Sequence, residues 1–252
     1  MRKPPNLGLQ PTAACEIVVP PRLKPGVRAT RMAIGDPIFE RMRATLTDRR
    51  VRGVESYWSR LESNAGTPEV LWDLLAEAQT AATLAGSGFL VVLRDAPDLH
   101  VSIIDVPFAV EVKRFRRKPQ DDIDEAWFAK NRGMVRPYGD TIDTEGAAVV
   151  DQLLSVAATK AAKLPFDRPT VLAIHSASPH CVEDLEVRDA ASRLYEAQCH
   201  GGDVRWAGIM FFSRSTSCIE HRNLYFFETA GRPSLPKSVA TALNEIREWR
   251  AP

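Results

Sequence analysis

The stretch from Ala96 to Arg114, APDLHVSIIDVPFAVEVKR, decides how the chain is read. It alternates like two short β-strands with a break between them. Asp105, Val106 and Pro107 supply the break, because Asp favours turns and Pro donates nothing to a ladder. A turn centred on Asp105-Val106 sets Leu99 opposite Val112, Val101 opposite Val110 and Ile103 opposite Phe108, which makes one apolar face. The other face then carries Asp98 opposite Lys113, His100 opposite Glu111 and Ser102 opposite Ala109. A slip of one residue would send Asp98, His100 and Ser102 among the apolar partners, so hydrophobic pattern favours the chosen face assignment.

Asp98, Glu111 and Lys113 thus converge on one polar patch. Two carboxylates are hard oxygen ligands and suit Mg²⁺ or Mn²⁺ bound together with a substrate phosphate. The Val112 carbonyl lies between Glu111 and Lys113 and offers a further oxygen. A lysine ammonium there can orient the attacking water or offset charge on the phosphate.

Pro97-Asp98, then twelve residues, then Glu111-Val112-Lys113 resembles the motif of the PD-(D/E)xK nuclease superfamily. The resemblance covers the motif and, loosely, the order of elements over roughly residues 67 to 230. It implies a restriction-endonuclease-like core in which Asp98 and Glu111 hold the metal and Lys113 serves the attacking water. It further implies an auxiliary acid on the helix before the first strand, Asp73 or Glu77, and an auxiliary Gln on the helix after the motif, Gln152. His100 joins this auxiliary set as a neighbour on the polar face. Arg114, Arg116, Arg117 and Lys118 follow the motif and could grip a phosphate backbone. The plain alternative is a solvated hairpin with an ordinary cross-strand ion pair between Asp98 and Lys113, worth under about 1 kcal/mol.

Around this hairpin the pattern is that of an α/β chain. Thr67-Pro68-Glu69 is a helix start, with Pro at the first helical position and an acid in the first turn. Leu71, Leu74, Leu75, Ala78 and Ala82 then form an apolar stripe to about Leu84. Residues 89–93, FLVVL, read as a strand buried on both faces. Helices are expected over 36–63, 120–131, 145–163, 185–197 and 238–250. Strands are expected over 170–175, 206–212 and 224–228, and 134–144 reads as a loop. The order implies a single α/β domain over 36–252, with a central mixed sheet flanked by helices. Residues 1–35 read as a disordered Pro-rich basic arm, with six prolines in the first 25 positions.

Composition bounds the partners. The 252 residues carry a net charge of only +1, yet residues 1–52 hold 11 Lys/Arg against 4 Asp/Glu. A basic beginning suits a phosphate backbone as well as a solvated arm. No apolar run approaches the length of a membrane span. Four cysteines in a chain of this size do not make a disulfide scaffold, so reduced thiols and a cytoplasmic setting are expected. His180-Cys181, Cys199-His200 and Cys218 with His221 raise a zinc reading, although no C-x₂-C pair supports it. Neither a phosphate-binding G-x-x-x-x-G-K-[ST] loop nor a G-x-S-x-G elbow occurs. Two functional expectations result. One is metal-dependent hydrolysis of a nucleic-acid phosphodiester, on DNA first. The other is a catalytically inactive nucleic-acid or protein-interaction module on the same fold.

Overall fold

Asp105 and its neighbour Ile104 set the geometry of the first half of the sheet. Both have positive φ, 49° at Ile104 and 60° at Asp105, as a tight two-residue hairpin turn requires. The computed structural model describes residues 37–115, 130–131, 142–161, 167–176, 184–200, 206–214 and 222–248. Its strands are β1 (Leu90–Leu93), β2 (Leu99–Ile103), β3 (Val106–Arg114), β4 (Thr170–His175), β5 (Gly208–Arg214) and β6 (Arg222–Glu228). Its helices are α1 (Pro37–Asp48), α2 (Val54–Ser63), α3 (Pro68–Gly86), α4 (Ile142–Ala161), α5 (Asp184–Cys199) and α6 (Lys237–Asn244).

The six strands lie side by side in chain order. β2 runs antiparallel to both β1 and β3; β3, β4 and β5 run parallel, and β6 returns antiparallel to β5. Parallel neighbours need crossovers, and described helices α4 and α5 lie in the two connections. The expected α/β class with a mixed sheet is therefore the architecture observed, within one compact unit spanning residues 31–252.

Each face of the sheet is covered by its own core. Val91, Leu99, Val101, Phe108, Val110, Val112, Val171 and Phe212 belong to a core shared with α1, α2, α3 and α6. Leu172, Ile174, Ile209 and Phe211 belong to a second core with α4 and α5. Alternation along β4 and β5 thus feeds two layers, which is why residues 171–174 and 209–212 are apolar without a break. Phe108 is fully buried and meets Phe89 edge-on at 5.9 Å.

Four sequence expectations change. The hairpin pairs Leu99 with Val110, Val101 with Phe108 and Ile103 with Val106, two residues away from the expected register. The turn takes Ile104-Asp105, and Pro107 enters β3 opposite Ser102. A two-residue shift preserves the faces, because side chains alternate with period two. The helical stretch 36–63 is two helices rather than one. Its break holds Arg50 at φ 56° and Gly53 at φ 78°. A Cβ on Gly53 would sit 2.5 Å from the Leu93 carbonyl oxygen, so only glycine fits there. β1 is an edge strand with Leu90 63% exposed, not a strand buried on both faces. The last helix stops at Asn244, and Glu248 instead bridges to Asn223.

The expected arm at 1–35, the helix at 120–131 except Lys130 and Asn131, and most of the loop at 134–144 lie outside the described residues. The segment 142–144 belongs to α4. Among the described residues no helix is long and apolar enough to cross a membrane.

Candidate functional site

The observed register sets the position of Asp98. Leu99 is the first residue of β2 and pairs with Val110, so Asp98 lies just before the strand, level with Glu111 rather than Lys113. Its carboxylate Oδ2 accepts a hydrogen bond from the Val112 N–H at 2.7 Å. The side chain thus takes over the ladder where the β2 backbone ends, and it is held against β3. His100 correspondingly lies opposite Ala109 instead of Glu111.

Glu111 and Lys113 are two apart on β3 and share a face. Lys113 Nζ lies 3.3 Å from Glu111 Oε1, and the Glu111 side chain is only 12% exposed. Asp98 is buried as well. Burial pushes the Asp98 carboxyl up to about 6, the Glu111 charge adds to that shift, and the Val112 N–H and Lys113 oppose it. The motif residues are therefore brought together, as two crowded carboxyls with a lysine beside them.

α3 contributes the acid nearest to this group. Glu77 is buried, and its carboxyl is raised to about 8, first by burial and next by the Asp98 charge. Arg60 on α2 donates to Glu77 Oε2 through Nη2 at 2.7 Å and pulls the other way. Burial wins because the pair is largely removed from water, where one ion pair does not restore the lost hydration. Arg60 Nε also lies 3.3 Å from Asp95 Oδ1, too poorly aimed for a hydrogen bond. The Arg60 guanidinium stands 5.7 Å from the Tyr57 ring, and Tyr57 donates its hydroxyl to the Leu74 carbonyl at 2.7 Å.

The other α3 candidate has a different role. Asp73 Oδ1 accepts from Arg114 Nε at 3.1 Å, and Arg114 Nη2 also bonds Glu69. Arg114 is 9% exposed and tied to α3, so it does not reach outward for a phosphate as the sequence reading expects. The cause is alternation: Arg114 follows Val112 onto the α3 side of β3, whereas Lys113 points to the opposite face. Gln152 is half-buried on α4. Arg116, Arg117 and Lys118 lie outside the described residues, as do Cys181, Cys218, His180 and His221 of the zinc reading. Cys199 is exposed.

Arg60 was not legible as part of this group. It sits on a helix ahead of the one expected to supply the acid, and only the packing of α2 on α3 joins them. Its one signal is placement between Tyr57 and Leu61 on the buried stripe of α2.

A buried carboxyl whose proton affinity is raised by a second carboxylate beside it, as Asp98 is by Glu111, has the chemistry of a divalent-cation site. Mg²⁺ and Mn²⁺ prefer hard oxygens and accept one or two protein carboxylates with water and phosphate completing the shell. Asp98 and Glu111 fit that requirement. Among the described residues no larger cluster of His, Cys, Asp and Glu forms a metal-holding group. Comparison of the chain with protein-family models, with curated proteins and with solved structures finds no match.

Proposed function

We propose that this chain is a metal-dependent phosphodiesterase acting on nucleic acid, with DNA as the substrate class. The observation that carries the reading is the convergence of Asp98, Glu111 and Lys113 beside β3, with Glu77 in electrostatic reach. This is the constellation that the resemblance to the PD-(D/E)xK nucleases implies, on a sheet whose antiparallel hairpin leads into a parallel crossover.

Asp98 and Glu111 would hold Mg²⁺ or Mn²⁺, which when bound supplies positive charge to the phosphate and lowers the pKa of water. Lys113 is placed to orient the attacking water and to offset charge on the phosphate oxygens. The water gives up a proton to solvent as its oxygen forms the new bond to phosphorus, and the bond to the leaving deoxyribose oxygen breaks. That oxygen takes a proton from solvent or from a neighbouring acid. The Val112 N–H fixes the Asp98 carboxylate in place, so the site is ordered before substrate arrives. The ion pair of Lys113 Nζ with Glu111 Oε1 at 3.3 Å suits the role of charge stabiliser better than that of free base.

The test is nicking and cleavage of plasmid, linear and single-stranded DNA with Mg²⁺ or Mn²⁺. Cleavage by the unmodified chain that is lost in both Asp98→Asn and Lys113→Ala supports the assignment. Each substitution is expected to lower the rate by roughly a hundredfold or more, the usual cost of removing a group that meets transition-state charge. Cleavage that survives both overturns it.

A further inference from the structure

The sheet face that carries Lys113 continues past it toward the β1 edge, where a shallow trough opens. Its floor is formed by β1, β2 and the start of β3, including Leu90, His100 and Ser102. Its rim carries Arg50 and Arg52 from the α1–α2 turn and Arg168 from the segment before β4. Among the described residues no acidic one lines it. Asp167 stands just outside and binds Arg168, with Nη2 to Oδ2 at 2.6 Å, which leaves an excess of positive charge. The arginines on the β1 side are set there by the backbone. Arg52 donates its N–H to Val91 O at 3.0 Å, and Leu93 donates to Arg52 O at 2.9 Å. The turn therefore runs along the sheet edge and carries its cations to the trough.

We infer that this trough binds the phosphodiester backbone of the nucleic acid on the side flanking the scissile phosphate. The inference rests on the proposed function for the class of ligand. Three features support it. The rim carries Arg50 and Arg52, residues whose guanidiniums match phosphate oxygens in pairs of parallel hydrogen bonds, and Arg168 stands beside them with its fork on Asp167. The floor is mostly apolar, with Leu90 63% exposed, a surface that tolerates sugar and, among the described residues, holds no competing carboxylate. The spacing also fits. His100 and Ser102 lie two and four residues from Asp98 on the same strand face, about 7 and 13 Å at about 3.3 Å per residue. That is two to four base-pair steps of about 3.4 Å. The strip from Asp98 to Arg168 is thus long enough for one continuous backbone to touch both ends.

The test is binding of a fluorescein-labelled DNA duplex to the full chain in chelator, read by anisotropy across a salt series. Chelation keeps the duplex intact, so binding is read apart from cleavage. Arg50→Gln with Arg52→Gln should weaken binding about tenfold. It should also flatten the slope of log K against log salt by about 1.8, the release expected from two lost phosphate contacts. Arg41→Gln, at an exposed position of α1 outside the trough, should bind as the unmodified chain does. Thermal unfolding of the double variant should be unchanged, since the Arg52 side chain is not what pairs with β1. Equal binding and equal slope in the double variant overturn the inference, as does absence of binding by the unmodified chain at low salt. A chain that binds as described but cleaves nothing with Mg²⁺ or Mn²⁺ overturns the nuclease reading and leaves the trough standing.

Discussion

Glu77 and Asp98 are acids placed where water cannot fully solvate them, and that makes them sensitive to pH and to cations. Glu77 in the folded chain holds its proton to about pH 8, against 4.5 for an ordinary glutamate. Asp98 holds its proton to about pH 6, against 3.8. Between the unfolded and folded values the folded state binds more protons, so stability falls as pH rises through that window. Thermal unfolding in chelator should therefore show a lower midpoint near pH 8 than near pH 5. Added Mg²⁺ or Mn²⁺ should recover more of that loss at the higher pH, because a cation binds the deprotonated pair. Arg60 moderates the same effect. Arg60→Met should cost about 2 kcal/mol near pH 9, less than a fully buried pair because Arg60 is a quarter exposed. Near pH 5, where Glu77 is protonated in either protein, the cost should be smaller. A denaturant series at the two pH values checks the difference.

At the scale of elements, the β2–β3 hairpin shows what alternation fixes and what it leaves open. The period-two pattern places Asp98, Glu111 and Lys113 on the right face in either of two registers. It does not choose between them. The choice depends on which residues accept positive φ, and Ile104 gives no sequence signal for that, since a β-branched residue disfavours it. Replacing Ile104-Asp105 with Asn-Gly should raise stability by about 1 kcal/mol without moving the strands, measured by chemical denaturation. The break between α1 and α2 was hidden for a similar reason. Apolar residues keep helical spacing across 36–63, and the one local clue is Gly53. Its necessity comes from Leu93 on another element. Gly53→Ala should cost about 2 kcal/mol or more, because positive φ and a backbone clash act together. The edge position of β1 was likewise not local information, as a run such as FLVVL reads the same in the centre of a sheet. Arg114 followed the opposite course. Its location after the motif pointed outward, yet strand alternation turned it onto Asp73 and Glu69.

At the scale of the whole molecule, the mixed sheet puts acids, lysine and arginines on one continuous strip. Class and element order were legible, since apolar strands TVLAIH and GIMFF can only be buried between two layers. The three-dimensional neighbours of the motif were not, because Arg60, Glu77, Asp98 and Glu111 come from four separate elements or their ends. The claim on which everything rests is that Asp98 and Glu111 share one divalent cation. The direct measurement is calorimetric titration of the full chain with Mn²⁺ near pH 8, beside Asp98→Asn and Glu111→Gln. One ion per chain, lost in both variants while their folds persist, is the result expected. Equal binding by the variants, or no binding by the unmodified chain, would contradict the account.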